Sequence, residues 1–416
     1  MSASSPRILI VGTVDTKSDE IGFMAEQVRL AGGLPLVMDV GVLARGHVQP
    51  DLTNTAVAAA AGVTLQQVMD SGDENSAMAL MASGASRLAL QWHTEGRFDG
   101  LLCLGGTMGT DLALDVASSL PLGVPKVLLS TVAFSPLLPP ERLPPDLTMV
   151  LWAGGLYGLN SLCRSALAQA AGAAVGACRV AHAPRFERPV VGMTSLGSSV
   201  LKYMVALKPA LEQRGFELAV FHTTGMGGRA FESLAAQGRF ACVMDFSLQE
   251  LVNQMAGSVV SAGPERLLGA ALHGVPMIVA PGASDMVDYP AWGQAPERIA
   301  AQGTHDHNRL IASVGIDAAM RREVAREIAA RLRRARGPAH LVLPLQGIEE
   351  WDRPGAPLHD AQGLQAFMQD MQASDCAPAQ VQALDAHIND QAFTDHVLAV
   401  FDDWLARGLI TRKAHA

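Results

Sequence analysis

The 416-residue chain carries a formal charge of −9 at pH 7, and hydrophobic residues make up 49% of it. This length fits two domains of ordinary size, and the apolar content excludes a largely disordered chain. The acidic balance argues against a general nucleic-acid-binding protein.

Short apolar runs and helical patterns alternate through the first 180 residues. Such alternation predicts βαβ units with a parallel sheet. The predicted strands lie at 8–11, 34–39, 100–104, 126–129 and 148–151, and the predicted helices lie at 18–31, 53–61, 64–69, 74–92, 111–118 and 159–176. The five prolines of residues 135–146 predict a loop, because proline lacks the amide donor.

The second half of the chain repeats the pattern of the first. Residues 188–222 show the same succession as residues 7–39: an apolar run, a loop, a helix, a glycine turn and another apolar run. Arg97-Phe98 and Arg239-Phe240 then lead into matching apolar runs. We therefore predict an α/β protein with two doubly wound parallel-sheet subdomains that face each other across a cleft. Ligands bind such sheets at the carboxyl ends of the strands.

The pattern also predicts domain boundaries. An N-terminal subdomain over 1–183 contains a helical insertion near 47–95, and a C-terminal subdomain covers 188–359. Residues 360–416 read as an amphipathic helical tail that packs back on the first subdomain or forms a subunit contact.

The first candidate binding loop follows the first predicted strand. It contains Gly12, Thr13, Asp15, Thr16 and Lys17. A turn at a helix start aims backbone N–H groups at an anion, and a lysine can neutralise a phosphate. The loop is not a Walker A sequence. The alternative is an ordinary turn with a capping aspartate and a surface lysine.

A second candidate loop is rich in glycine and threonine. Glycine permits close approach of a ligand to the backbone, so this loop is predicted to cradle an anion or a nucleotide. The alternative is a packing role only. Its candidate residues are Gly105, Gly106, Thr107, Gly109 and Thr110.

Two further strand ends complete the predicted nucleotide pocket. Asp39 ends the second strand, where an acid in doubly wound nucleotide folds meets the ribose hydroxyls. An equally good alternative is that Asp39 only caps the turn that follows its strand. Ser130 and Thr131 end the strand beside the glycine loop, and their hydroxyls are predicted to line the same pocket.

The second half has matching loops that are predicted to hold a small anionic molecule. Arginine at a helix start suits bidentate binding of a carboxylate or phosphate. The candidate substrate-binding residues are Ser195, Ser198, Ser199, Thr224, Gly225, Gly227, Gly228 and Arg229. No catalytic residue is assigned; the weaker candidates are His222, Asp245, Glu250 and Asp285. No metal site is predicted.

The start of the chain and the cysteines suggest a location. The first residues, MSASSPR, have no apolar signal segment, and no apolar run is long enough for a membrane span. Five cysteines without a C-x-x-C pair suit a reducing compartment. We expect a cytoplasmic protein without membrane or nucleic-acid partners.

Taken in order, these loops resemble the family of Tm-one-like ATP-binding proteins, which includes the tomato mosaic virus resistance protein. The matching strings include GTVDTKSDE, LGGTMGTDLA, VFHTTGMGGRAFE, VAPGASDMVDY and DAHINDQAF. The resemblance implies two Rossmann-like subdomains, ATP binding by the first, and a homodimer. Mg²⁺ is the ion that we would expect to accompany ATP.

From the loops and the resemblance together, we expect a nucleotide-binding protein that uses ATP to act on a small anionic metabolite held between the subdomains. Two alternatives remain open. One is an ATP-independent enzyme acting on a sugar or acyl metabolite. The other is a non-catalytic module that senses nucleotide.

Overall fold

A computed structural model describes residues 5–43, 46–181, 187–197, 202–299 and 304–412. The chain divides into two compact units, Met1–Pro184 (unit 1) and Arg185–Ala416 (unit 2). Each unit has its own large parallel sheet flanked by helices. The predicted α/β class with two Rossmann-like subdomains is confirmed.

Unit 1 is built on a five-stranded sheet in which every neighbouring pair is parallel. Its strands are β1 (Arg7–Gly12), β2 (Leu34–Asp39), β3 (Gly100–Gly105), β4 (Lys126–Ser130) and β5 (Leu147–Leu151). The order across the sheet is β2-β1-β3-β4-β5. The chain therefore reverses its direction of travel between β1 and β3, and this switch point is where such sheets bind ligands.

Helices cover both faces of this sheet because alternate strand residues point to opposite sides. Ile8 and Ile10 join one apolar core, whereas Leu9 and Val11 join the other. The helices are α1 (Val14–Leu30), α2 (Asn54–Ala60), α3 (Leu65–Met69), α4 (Glu74–Thr94), α5 (Thr107–Ser119) and α6 (Ser161–Val180), with a 3-10 turn at Pro140–Arg142.

The helix starts of unit 1 differ from the sequence prediction. α1 begins at Val14 rather than at 18, and α5 begins at Thr107 rather than at 111. The glycine loop is therefore shorter than expected, because Thr107, Gly109 and Thr110 already belong to the first turn of α5. Gly105 makes this tight turn possible, since a Cβ there would lie 2.4 Å from the backbone of Gly109.

Unit 2 repeats the strand order of unit 1 and adds one strand. The strands of its parallel sheet are β6 (Val190–Ser195), β7 (Glu217–His222), β8 (Cys242–Asp245), β9 (Met277–Val279), β13 (Ala339–Pro344) and β14 (Gln380–Leu384). They lie in the order β14-β13-β9-β8-β6-β7, so the switch point of this sheet lies between β6 and β8.

A small antiparallel sheet, which the sequence analysis did not anticipate, lies between β9 and β13 along the chain. Its strands are β10 (Met286–Pro290), β11 (Thr304–Asp306) and β12 (Ile311–Gly315), in the order β10-β12-β11. The helices of unit 2 are α7 (Lys202–Gln213), α8 (Met226–Ala236), α9 (Gln249–Ala256), α10 (Gly269–His273), α11 (Ala318–Leu332), α12 (Ala361–Ala373) and α13 (Gln391–Ala406), with 3-10 turns at Glu297–Ile299 and Glu350–Asp352.

The last 57 residues are not the purely helical tail that their amphipathic pattern predicts. They supply β14, which pairs in parallel with β13 and completes the sheet of unit 2. They also supply α13, whose Phe401 packs edge-on against Phe216 with ring centroids 5.0 Å apart. The described part of this segment, residues 360–412, therefore contributes to the sheet and core of unit 2. Within the described parts of the chain, no helix has both the length and the apolar character of a membrane-crossing segment.

Candidate functional site

The predicted nucleotide loops of unit 1 meet at one edge of its sheet. Gly12 is in register with Asp39, and Gly105 is in register with Ser130, at the carboxyl ends of four adjacent strands. Val11 pairs with Cys103, which places the ends of β1 and β3 level with each other. The structure thus brings these four loops together around the switch point.

Asp39 caps the start of α1. Its Oδ1 accepts hydrogen bonds from the backbone N–H groups of Val14 (3.0 Å) and Gly41 (2.8 Å). Burial raises the pKa of this carboxyl group, and the two amide donors oppose that rise. The observed contacts are those of the capping alternative, and they place a carboxylate at the point where the α1 dipole favours an anion.

The rest of the first loop is held mainly by its own side chains. The hydroxyls of Thr13 and Thr16 lie 2.8 Å apart, and Asp15 Oδ2 accepts from the amide of Leu43 at 2.7 Å. Asp15 Oδ1, however, is buried without a hydrogen-bond partner. Lys17 Nζ lies 5.1 Å from the ring centroid of the exposed Tyr157.

The start of α5 differs from the start of α1. Its N-cap residue is Gly106, which has no side chain, and among the described residues no other side chain accepts a hydrogen bond from its first amides. The first backbone amides of a helix have no intrahelical acceptor, so an uncapped start attracts an anion. Thr107 is exposed and Gly106 is half-buried, so this helix start is open to solvent.

Two predicted hydroxyl ligands are used inside unit 1 instead. Thr110 and Ser130 are fully buried, and their hydroxyls lie 2.7 Å apart. Ser130 Oγ also accepts from the amide of Val132 at 3.0 Å. Thr131 is half-buried, and its amide donates to Gly105 O at 3.1 Å, which ties the ends of β3 and β4 together.

A groove of about 390 Å³ lies beside the start of α5. Thr107 and Met108 of the first turn line it. Its apolar walls come from α4, α5 and the proline-rich loop, and they include Met78, Leu114, Leu137 and Leu138. The open helix start and an apolar groove of ligand size are therefore adjacent.

In unit 2 the corresponding edge holds a buried ion network that the sequence analysis did not predict. Arg266 is 0% exposed and binds Asp245 through two nitrogens, each at 2.6 Å. It also binds Glu232 at 2.8 Å and Glu250 at 3.1 Å. Thr194 Oγ1 donates to Asp245 at 2.7 Å. The weak catalytic candidates Asp245 and Glu250 are thus partners of one buried guanidinium.

The glycine loop of unit 2 encloses a carboxylate of its own chain. Glu250 Oε1 accepts from the amides of Gly225 (2.6 Å) and Gly228 (3.2 Å). A Cβ on Gly228 would lie 1.6 Å from Glu250 Oε2, and a Cβ on Gly227 would lie 1.8 Å from His222 O. Burial raises the pKa of Glu250 to about 7, although Arg266 and the two amides oppose that rise. The space that glycine leaves here is occupied by Glu250.

The other predicted residues of unit 2 are spread between core and surface. Ser195 is buried, and its carbonyl oxygen accepts from the hydroxyl of Thr223 at 3.1 Å. His222 is exposed and lies 3.3 Å from the hydroxyl of half-buried Thr224. Partial burial, and then the charge of His307, lower the pKa of His222. Arg229 is half-buried in the first turn of α8. Ser198 and Ser199 lie outside the described residues.

The carboxyl ends of β9 and β13 carry a pair of buried acids, of which the sequence analysis noted only one. Asp285 follows β9 and is 3% exposed, and Glu349 follows β13 and is 0% exposed. Glu349 lies in the string GIEEWD, where two adjacent acids beside apolar residues were a signal that could have found it.

Comparison with known proteins gives matches to both units. The description "Uncharacterised protein family (UPF0261) N-terminal domain" matches residues 6–183, and the C-terminal domain of the same family matches residues 188–405. A UPF0261 protein of Brucella suis biovar 1 is 53% identical over 98% of this chain and 98% of its own length. A UPF0261 protein of Clostridium tetani is 31% identical over 93% of this chain and 96% of its length. The ToMV resistance protein Tm-1(GCR237) of Solanum lycopersicum is 27% identical over 96% of this chain and 56% of its length.

Proposed function

The chain belongs to the uncharacterised protein family UPF0261, and from this premise we propose that unit 1 binds ATP at the carboxyl edge of its sheet. The observation that carries the proposal is the uncapped start of α5 at the switch point. The resemblance of the loops to the family of Tm-one-like ATP-binding proteins supports the same ligand.

Two helices, α1 and α5, begin at this edge, and the phosphates would bind at the start of α5. The start of α1 already faces the carboxylate of Asp39, which would repel a second anion. At α5 no carboxylate of the described residues accepts from the amides after Gly106, and nearby Asp111 is paired with Arg142 at 2.7 Å. Helix N-termini bind phosphate through these amides and the helix dipole.

The adjacent groove suits the rest of the nucleotide. Its volume of about 390 Å³ falls in the usual range for small-molecule sites, and its walls are largely apolar. We place the adenine between Met78 and Leu138. Lys17 would offset phosphate charge. Bound Mg²⁺ would supply charge neutralisation of the phosphates.

The proposed phosphate site lies in unit 1 alone. In unit 2, the amides of Gly225 and Gly228 already donate to Glu250, so they are not free to bind an anion. A metabolite acted on by ATP would therefore need contacts other than that loop.

Gly106→Asp tests the proposed phosphate site without disturbing the fold. Gly106 has a φ of −73°, and a Cβ there would lie no closer than 3.9 Å to Thr131 Oγ1, so a side chain fits. Aspartate is a good N-cap and should keep or slightly raise the melting temperature. Its charge would occupy the helix start and should weaken ATP binding at least tenfold in isothermal titration.

Gly106→Asn is the matched control, because asparagine caps a helix equally well without the charge. It should retain more affinity for ATP than Gly106→Asp. An unmodified protein that does not bind ATP, or a Gly106→Asp variant that binds it as tightly as the unmodified protein, would end the proposal.

A further inference from the structure

The buried acids Asp285 and Glu349 of unit 2 have no part in the proposed nucleotide site. They follow β9 and β13, which pair directly in the sheet, so both lie at the same carboxyl edge. Both side chains are almost completely buried. A carboxylate in such a place is normally paired with a cation or surrounded by hydrogen-bond donors.

Each acid has one oxygen that lacks a partner. Glu349 Oε2 accepts from the amide of Trp351 at 2.8 Å, but Glu349 Oε1 has no hydrogen-bond partner. Asp285 Oδ1 likewise has none. The two acids lie on segments that are joined by a hydrogen bond from the amide of Ala283 to Ile348 O at 3.1 Å. Two unpartnered oxygens on such buried acids indicate that a positive or protic group is needed there.

The acidic groups around the pair have basic partners of their own, and among the described residues these leave no full positive charge for the pair. Glu350 is paired with Lys202 at 2.9 Å and with Arg353 at 3.1 Å. Asp352 and Glu350 on the 3-10 turn both act on Glu349, and Asp352 and Asp360 act on Asp285. Arg321 of α11 opposes them, but it also pairs with Asp360 at 3.3 Å. Full ionisation of both acids would therefore leave uncompensated buried negative charge.

His387, which lies beside Asp352, does not supply the missing positive charge. Its Nδ1 accepts from the amide of Asn389 at 3.0 Å and faces Arg353 at 3.1 Å. Its Nε2 lies 2.9 Å from Glu349 O and 3.2 Å from Asp352 Oδ1, as a donor would. These contacts describe a neutral imidazole with its proton on Nε2.

We propose that Asp285 and Glu349 form a proton-binding site in which Glu349 holds the proton and Asp285 is ionised at neutral pH. The titration behaviour agrees with the geometry. Burial, and then the charge of Asp285, raise the pKa of Glu349 to about 10. Burial raises the pKa of Asp285 to about 6, and Arg321 opposes that rise.

Because both side chains are almost completely buried, the proton is exchanged within the pair rather than with a bound molecule. The exchange is balanced, because the O–H bond of Glu349 breaks as a new O–H bond forms on Asp285. The site lies in unit 2, and it does not depend on nucleotide binding in unit 1.

Infrared spectroscopy tests the proposal on the unmodified protein. A protonated carboxyl group has a carbonyl stretch that ionised carboxylates lack. At pH 7 we expect this band, and we expect it to shift when the glutamate side chains carry carbon-13. The part of the band that remains at a pH where Glu250 (pKa about 7) is ionised should disappear in Glu349→Gln and persist in the control Glu26→Gln, which removes an exposed glutamate. Asp285→Asn should lower the pH at which the band titrates.

The absence of the band from the folded, unmodified protein at pH 7 would overturn the proposal, whatever the variants do. A band unchanged in folded Glu349→Gln would assign the proton to another group and overturn it as well. A band that appears only after a bound cation is removed would show that a cation, not a proton, occupies the site.

Discussion

Replacing Gly228 with alanine tests whether the glycine loop of unit 2 exists to admit Glu250. Gly228 lies in the first turn of α8, and a Cβ there would lie 1.6 Å from Glu250 Oε2. Glu250 cannot move freely, since Arg266 and two backbone amides hold it in a buried site. The alanine must therefore displace the carboxylate or the helix.

The expected cost follows from these contacts. Displacing one partner of a buried ion network costs about 3–5 kcal/mol. Alanine is favoured over glycine inside a helix by about 1 kcal/mol. The net destabilisation of unit 2 should then be about 2–4 kcal/mol.

Gly172→Ala is the matched control. Gly172 also lies inside a helix, α6, and a Cβ there meets nothing within 4 Å. This substitution should stabilise unit 1 by about 0.5–1 kcal/mol. The same chemical change is thus expected to have opposite signs at Gly172 and Gly228, and only the carboxylate of Glu250 accounts for the difference.

The stability change of each unit can be measured separately by urea unfolding, monitored through the hydrogen exchange of peptides from that unit. A double-mutant cycle with Glu250→Ala should show that most of the Gly228→Ala penalty disappears when the carboxylate is absent. If Gly228→Ala is neutral or stabilising, as at Gly172, the packing explanation of this loop is refuted, and the loop again becomes a candidate ligand site.

Two further predictions concern a cap and a histidine pair. Asp39→Ala should destabilise unit 1 by about 1–2 kcal/mol in thermal melts, because Val14 and Gly41 lose their acceptor; weaker ATP binding at unchanged stability would instead favour ribose contact. His340 and His396 lie 3.3 Å apart through their Nε2 atoms, and burial lowers the pKa of both. Because the folded protein resists protonation of these imidazoles, the pair costs no stability above the ordinary histidine pKa of 6.5, and the protein loses stability as the pH falls below it. Thermal melts between pH 7.5 and 5 should therefore show a smaller fall in melting temperature for His396→Gln than for the unmodified protein. An identical fall in both proteins would contradict this.

Much of the fold follows from local sequence patterns. Apolar runs that alternate with segments of helical periodicity predict parallel βαβ units. The spacing of apolar residues that distinguishes a strand from a helix can be read from residues close together in the sequence. Local patterns do not fix where a helix begins, and α1 and α5 both begin four residues before their predicted starts. Thr107 and Gly109 looked like loop residues, yet they form the first turn of α5, since Gly105 allows strand and helix to approach closely.

The roles of individual polar residues were harder to predict. Glycine, threonine and serine at a strand end suit an external anion and an internal partner equally well. Thr110 and Ser130 bind each other, and the unit 2 loop binds Glu250. Arg266, which holds that network together, lies in an unremarkable loop string, GPERLL, with no local sign of its burial.

The amino-acid sequence by itself determined the doubled α/β architecture and the meeting of four loops at one edge of the unit 1 sheet, because strand direction and order follow from the succession of elements along the chain. Only the tertiary structure decided which polar groups are left for a ligand. Whether Gly106 faces solvent, or Glu349 lacks a partner, depends on residues that are distant in sequence and become neighbours only when the sheet and its helices pack together.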